Sequence, residues 1–301
     1  MRDATAESTP VDVVIPVYGE GPQLARVVAA LQRQVPPVGR IIISHSSDGG
    51  ASAWNPDLPG VTVVDSPVRL YAGAARNRGA EHSDAEWVAF VDEDVIVDDG
   101  WHAAVQRALS ESDAACVLGS IGHAEGGGYW GMSLWFIEFS SVHPYMPGRP
   151  IAGGGSGNMV VRAHAMRAIG GFPEAWRRAQ DTVVHAQLRA AGYAVVFDPR
   201  PVGRHVNLPG FRRMLRHLYD TGVHSGRLRR ENPEARGAVA ARVPVLSVGL
   251  WLARLVQIHA RVLGAANGPV WVLLVHTPGI LLGLLAWNAG FTREVLRLRG
   301  R

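Results

Sequence analysis

The sequence predicts an α/β fold in which helices flank a mostly parallel sheet. Short apolar runs alternate with segments of helical periodicity, and this alternation is typical of βαβ units. Acidic and other polar residues directly follow several of the runs. Ligands of such sheets bind beyond the carboxyl ends of the strands, so these polar residues predict a site at one edge of the sheet.

The first part of the chain carries the strongest pattern. Residues 1–10 are polar and predict a disordered lead-in without a secretory signal. Apolar, mostly β-branched runs predict strands at 11–17, 41–43, 61–64, 87–91, 114–118 and 193–197. Helices are predicted at 23–34 and 72–80.

Composition favours a globular protein with anionic partners. Of the 301 residues, 47% are apolar and 19% are charged, which is enough for a full core. The net charge is +4, and all 30 basic side chains are arginines. This balance favours phosphate-bearing substrates or lipid head groups. The single cysteine, Cys116, suits a reducing compartment.

An acidic stretch follows the predicted strand at 87–91. In an extended chain Asp92 and Asp94 would face the same side, with Glu93 turned away. Two adjacent carboxylates repel each other unless a cation lies between them, and oxygen ligands select Mg²⁺ or Mn²⁺. The alternative is a solvated acidic turn.

Two further residues have both a structural and a functional interpretation. Asp181 precedes a helical segment and is either its N-cap or a carboxylate exposed in a cleft for proton transfer. His205 is either a structural histidine or a metal ligand.

Several ordered motifs resemble family 2 of the inverting glycosyltransferases, which has the Rossmann-like GT-A fold. The resemblance covers residues 11–230. It rests on Ile15-Pro16-Val17-Tyr18-Gly19-Glu20, Gly73-Ala74-Ala75-Arg76-Asn77-Arg78-Gly79, Asp92-Glu93-Asp94, Gly157-Asn158-Met159, Gly170-Gly171-Phe172, Gln180-Asp181 and Arg204-His205.

The resemblance implies transfer of a sugar from a nucleotide-sugar donor to an acceptor hydroxyl. Asp181 matches the general base, and Asp94, Asp92 and His205 match a site for Mg²⁺ or Mn²⁺ on the donor diphosphate. The residues implied in donor or substrate binding are Pro16, Tyr18, Glu20, Asp48, Arg76, Asn77, Asp92 and Met159. A UDP-sugar is the expected donor, and guanosine and thymidine are the alternative nucleosides.

The chain departs from the family pattern at three points. The acidic turn usual after the second strand is Ser44-His45-Ser46-Ser47-Asp48-Gly49 here, which bears on base recognition. The acid usual before the base is Gln180, and an arginine usual later in that helix is Gln187. A Gln-x-x-Arg-Trp element is missing, so transfer of a single sugar is expected.

Residues 231–301 predict a helical, membrane-associating segment. Residues 243–266 are apolar with a polar stripe of Arg254, Gln257, His259 and Arg261, and residues 270–291 carry no Asp, Glu, Lys or Arg. The basic tail predicts the cytoplasmic face of the inner membrane and a lipid-linked or cell-envelope acceptor. The alternative is a soluble appendage that packs on the sheet or forms a homodimer.

Two other function classes compete with a glycosyltransferase. A non-catalytic member of the same fold would explain the altered Ser44-His45 turn and Gln180. A nucleotidyltransferase would also use paired acids at a sheet edge. Nucleic-acid binding is not expected, because the arginines are not interleaved with stacking aromatics in a recognisable module.

Overall fold

The computed structural model describes residues 9–48, 57–174, 176–207, 210–231 and 237–299. The chain divides into two compact units: Met1–Gly122 with Gly148–His205 form unit 1, and His123–Pro147 with Val206–Arg301 form unit 2. The predicted boundary at residue 230 does not coincide with this division. The predicted lead-in falls almost entirely outside the described residues.

Within the described residues, nine strands form one sheet in the order β3-β2-β1-β4-β8-β6-β9-β5, and β7 pairs with β9. The strands are β1 (Val11–Tyr18), β2 (Ile41–Ser46), β3 (Val61–Ser66), β4 (Trp87–Val91), β5 (Val95–Val97), β6 (Cys116–His123), β7 (Arg149–Pro150), β8 (Asn158–Arg162) and β9 (Val195–His205). The helices are α1 (Leu24–Gln32), α2 (Ala72–Ala80), α3 (Trp101–Ser110), α4 (Gly128–Phe139), α5 (Ala163–Ala168), α6 (Gln180–Ala190), α7 (Phe211–Glu231), α8 (Ala238–Arg242), α9 (Pro244–Ser247), α10 (Leu250–Leu263) and α11 (Val270–Arg299).

The sheet is mixed rather than mostly parallel, which corrects the prediction. β3, β2, β1 and β4 run parallel, whereas β8 is antiparallel to both β4 and β6, and β9 is antiparallel to β5 and β7. The parallel part follows from crossovers through α1 and α2. After β4 the chain makes a tight acidic turn into β5 instead of a helical crossover, so that pattern ends there.

The parallel strands place their carboxyl ends at one edge of unit 1. Residues of β2 and β4 are buried throughout, because helices cover the sheet on its faces. Tyr18 at the end of β1 lies opposite Ser46 of β2, which in turn lies opposite Ser66 of β3. Side chains that follow these strands therefore share one edge.

Unit 2 is helical and has a core of its own. The buried residues come from α4, α7, α8, α10 and α11, and they include Phe136, Met214, Val262, Leu284 and Phe291. Two segments of this unit, Val245–Leu263 with 19 residues and Val270–Leu298 with 29 residues, are long and apolar enough to cross a membrane. The predicted apolar C-terminal extension is thus present as helices.

Candidate functional site

The ends of β1 and β2 bring Tyr18 and Asp48 together. The Tyr18 hydroxyl donates a hydrogen bond to Oδ2 of Asp48, and this bond raises the pKa of Tyr18 above its ordinary value. The Arg69 guanidinium lies 4.3 Å from the centre of the Tyr18 ring, and its Nη1 lies 3.4 Å from Asp48 Oδ2. Arg69 was missed in the sequence analysis, although it follows β3 and therefore belongs to the same edge.

The other two residues of the first motif lie beside Tyr18. Pro16 is partly buried in β1 opposite Ser44, and Glu20 is exposed in the turn that follows the strand. Both residues lie near the carboxyl end of β1 at the edge of the sheet, and the Glu20 side chain is exposed to solvent.

His45 replaces part of the expected acidic turn and is fully buried in β2. Its Nδ1 lies 2.6 Å from Asp65 Oδ1, and its Nε2 lies 3.0 Å from the Gly19 carbonyl oxygen. The ring thus ties the end of β3 to the loop after β1. This departure from the family pattern has a structural role in holding the loop.

The three acids lie in a turn between β4 and β5, and the turn separates their roles. Oδ1 of Asp92 accepts a hydrogen bond from Arg76 Nη2 at 2.5 Å, and Arg76 itself is buried in α2. The close packing requires Gly157 opposite, since a Cβ there would lie 2.5 Å from Asp92 Oδ2. The buried Arg76 and the half-buried Asp92 therefore form an ion pair at the strand end.

Asp94 meets His205 instead. β5 and β9 pair in the register Val95 opposite His205, which places the imidazole beside the acidic turn. Asp94 Oδ2 lies 3.4 Å from His205 Nε2. The predicted grouping of Asp94 with His205 is thus present in the structure, although residues 94 and 205 are far apart in sequence.

Glu93 was expected to turn away from the side shared by Asp92 and Asp94, and its carboxylate reaches into unit 1. Its Oε2 is buried, and a Cβ on Gly21 would lie 2.9 Å from this atom. Burial, followed by the charges of Asp94 and Asp92, raises the pKa of Glu93 to about 7. The extended conformation expected for residues 92–94 is wrong, because these residues form a turn.

Asp181 lies in the first turn of α6 but is not its N-cap. The N-cap is Ala179, whose φ is 65°, and Asp181 Oδ1 accepts a hydrogen bond from the Thr182 backbone N–H at 2.7 Å. Burial raises the pKa of Asp181; the Thr182 hydrogen bond and the charge of Arg76 oppose this effect, and Asp92 adds to it. The pKa of Asp181 therefore depends on the charges of the Arg76–Asp92 ion pair at the end of β4.

Asn77 and Met159 serve the packing of unit 1. The Asn77 amide donates to the Phe172 carbonyl oxygen at 2.9 Å and accepts from the Phe172 N–H at 2.8 Å. Met159 is fully buried in β8 between Phe90 and Leu118, which corrects the prediction that it contacts substrate. A central strand has neighbours on both sides, so its apolar residues belong to the core.

Among the described residues, no three His, Cys, Asp or Glu side chains converge as a complete set of metal ligands. The Asp94–His205 pair supplies one carboxylate oxygen and one imidazole nitrogen within reach of a common ion. Both donor types suit Mn²⁺, and a diphosphate and water can complete its coordination. The donor set therefore fits a substrate-bound divalent ion.

An α/β sheet that gathers acids and a buried arginine at the carboxyl ends of its strands is typical of enzymes that act on phosphate-bearing ligands. The model described as glycosyl transferase family 2 matches residues 12–170, more than half of the chain, and the chain belongs to this family. The predicted enzyme class is thereby confirmed.

Named relatives agree with this class. The chain is 24% identical to the succinoglycan biosynthesis protein ExoA of Rhizobium meliloti, with 96% of each chain covered. It is also 24% identical to the pre-mycofactocin glycosyltransferase of Mycobacterium tuberculosis, with 84% of this chain and 56% of the relative covered.

A solved structure supports the fold. The chain is similar to the crystal structure of GalNAc-T7 with UDP, GalNAc and Mn²⁺, with a TM-score of 0.52 and 14% identity. The similarity covers 72% of this chain and about half, 48%, of that one. At this identity the similarity shows the fold alone, and it confirms the predicted GT-A type.

Proposed function

We propose that this protein transfers a single sugar, with inversion, from a nucleotide-diphosphate sugar to an acceptor hydroxyl. The observation that carries the proposal is the gathering of the Arg76–Asp92 pair, the Asp94–His205 pair and Asp181 in unit 1 of a family 2 chain. A UDP-sugar is the proposed donor, since the structural neighbour was crystallised with UDP.

The base of the reaction is assigned to Asp181. Its raised pKa makes the carboxylate a better proton acceptor than an ordinary aspartate. It would take the proton from the acceptor hydroxyl as this oxygen attacks the anomeric carbon and the bond to the diphosphate breaks. The Arg76 guanidinium holds the nearby Asp92 carboxylate in place through a hydrogen bond.

The proposed ion is Mg²⁺ or Mn²⁺, held by Asp94 and His205, with Asp92 beside them. When bound, such an ion neutralises charge that develops on the departing diphosphate. Tyr18, Asp48 and Arg69 are assigned to the nucleoside, because an aromatic ring, a carboxylate and a guanidinium meet there at the strand ends.

The acceptor is proposed to be lipid-linked or part of the cell envelope, with the enzyme at the cytoplasmic face of the inner membrane. The two long apolar segments of unit 2 support membrane association. The relative named for succinoglycan biosynthesis, which the chain matches along nearly its full length, supports a role in glycan biosynthesis.

Release of nucleoside diphosphate from a panel of nucleotide sugars, with and without Mn²⁺, tests the proposal. Asp181→Asn should lower turnover about 10²–10⁴-fold and retain nucleotide binding. Asp94→Ala should lose the dependence of nucleotide binding on Mn²⁺. Asp113→Asn, at an exposed carboxylate before β6, is the matched control.

Wild-type turnover in both site variants would refute the assignment. Absence of Mn²⁺-dependent UDP binding in the wild type would instead favour the non-catalytic alternative. Released pyrophosphate in place of nucleoside diphosphate would identify a nucleotidyltransferase.

A further inference from the structure

Helix α10 packs on the other helices of unit 2 through Ile258, Val262 and its half-buried polar side chains, and it turns further apolar side chains outward. The Arg254 guanidinium lies 4.2 Å from the centre of the Trp287 ring in α11, and Arg261 Nη1 donates to Ser140 Oγ at 3.2 Å. His259 Nε2 lies 3.0 Å from Thr277 Oγ1 of α11. The polar stripe noted in the sequence thus lies half-buried within unit 2, beside the buried Ile258 and Val262, and does not form a solvent-facing side of α10.

The outward residues form one apolar surface over two helices. They are spaced so that each set lies along one face of its helix. We call this the outer apolar surface; its residues are Leu252, Val256 and Leu263 of α10 and Trp271, Val275 and Leu285 of α11. Val256 is 60% exposed and Trp271 is 80% exposed. Contiguous apolar exposure of this kind marks an interaction site.

A lipid bilayer fits this surface. The exposed Val245 and Leu246 of α9 extend the apolar area, and the exposed Arg293 and Arg297 border it at the end of α11. Basic residues beside an apolar helix face suit anionic head groups, and an exposed tryptophan suits the level of the head groups. The inward arginines of α10 leave the outer face without charge, as contact with acyl chains requires.

The packing of α7 decides how deep these helices lie. α11 lies against α7 through glycines: a Cβ on Gly222 would lie 2.0 Å from the Trp287 carbonyl oxygen, and one on Gly290 would lie 2.1 Å from that of Tyr219. The other side of α7 exposes Arg216, Asp220 and Arg227 along its length.

A membrane-spanning α11 would carry this charged face into the bilayer with it. Charged side chains at the bilayer centre are strongly disfavoured. The length and composition of α11 alone permit a span, but its firmly packed partner does not.

We infer that α10 and α11 lie in the plane of the membrane interface, with the outer apolar surface toward the acyl chains and α7 toward water. This inference rests on the membrane association proposed above and specifies its geometry. It makes the protein a peripheral enzyme of one leaflet, held by an apolar surface and basic residues.

Depth measurements on variants that each carry one added cysteine test this geometry. Native Cys116 is fully buried and stays unlabelled, so Val275→Cys and Leu285→Cys can each carry a fluorophore. The protein is mixed with vesicles of phosphatidylcholine and phosphatidylglycerol that contain quenchers at shallow or deep positions. In-plane helices predict similar depths for both labels, with stronger shallow quenching. A helix along the bilayer normal predicts depths that differ by about 15 Å, since ten residues separate the labels.

Val68→Cys, on an exposed residue of unit 1, is the matched control and should not be quenched. Val275→Glu should weaken vesicle binding at least tenfold, whereas Val68→Glu should not. Unequal depths would overturn the in-plane arrangement while leaving membrane association intact. Absence of quenching and of vesicle binding would overturn both, and light scattering would then show whether a second copy covers the surface. Release of nucleoside diphosphate by the same proteins reports separately on the transferase proposal.

Discussion

A single methyl group added to Gly290 tests the contact between α7 and α11. In a helix interior, alanine is favoured over glycine by about 1 kcal/mol. Here the new Cβ would lie 2.1 Å from the Tyr219 carbonyl oxygen, whereas a comfortable C···O contact is about 3.3–3.6 Å. The obstacle is backbone and cannot rotate away, so the two helices must separate by about 1 Å.

Overpacking of this kind typically costs about 1–3 kcal/mol, and a rigid obstacle places the cost at the upper end. After the gain in helix propensity, Gly290→Ala should destabilise the protein by about 2 kcal/mol. Gly222→Ala should do the same, because its Cβ would lie 2.0 Å from the Trp287 carbonyl oxygen. Gly226→Ala should have a smaller effect, since its nearest contact is 3.0 Å.

Thermal unfolding in mild detergent measures these effects, and 2 kcal/mol corresponds to a decrease in Tm of roughly 8 °C for a unit of this size. Ala289→Leu adds more atoms to the exposed neighbour of Gly290 and should leave Tm nearly unchanged. If Gly290→Ala is as stable as the wild type, α7 and α11 are not packed at this distance. The argument against a spanning α11 would then fail as well.

Three further predictions concern unit 1. The raised pKa of Asp181 predicts that kcat decreases at low pH with an apparent pKa above the ordinary value of 3.8, since only the carboxylate accepts a proton. A pH–rate profile that stays flat down to pH 4 would contradict this. Glu93→Gln should stabilise the metal-free protein by about 1–2 kcal/mol at pH 7, after allowance for solvent screening, and by nothing at pH 4. The reason is that a pKa of about 7, against 4.5 for the ordinary group, makes the wild type lose stability as pH rises through this window; urea unfolding with chelator measures it, and an equal gain at both pH values would refute it. Asn77→Ala should cost about 2 kcal/mol in the same assay, because both backbone groups of Phe172 lose a partner, and an unchanged midpoint would show that these bonds contribute nothing.

Local patterns predicted much of unit 1. The strand Trp87–Val91 and the helix Ala72–Ala80 have the predicted bounds. A continuous apolar run that is too short for a helix indicates a buried strand, and the residues that follow it then lie at the edge of the sheet. The meeting of Asp94 with His205 came from the family resemblance, since no local pattern connects β5 with β9.

The errors share one physical origin, namely contacts distant in sequence. Glu93 turns inward because the chain folds back into β5, and Met159 is buried because β8 lies between β4 and β6. Arg69 could have been found by asking which residues follow β3, as Tyr18 follows β1. The change to antiparallel pairing after β4 depends on which strands become neighbours, and periodicity carries no such information.

The C-terminal helices show the same limit of local sequence patterns. The stripe of polar residues on α10 suggested an amphipathic helix, but periodicity cannot say which face meets the protein. Only the positions of Ser140, Thr277 and Trp287 show that the polar stripe lies on the packed side of α10, together with Ile258 and Val262. Likewise, the apolar length of α11 is compatible with a span until the charged helix packed along it is taken into account. The position of each helix in the membrane therefore depends on the whole helical unit, because a helix cannot enter the bilayer without the charged neighbour that is packed against it.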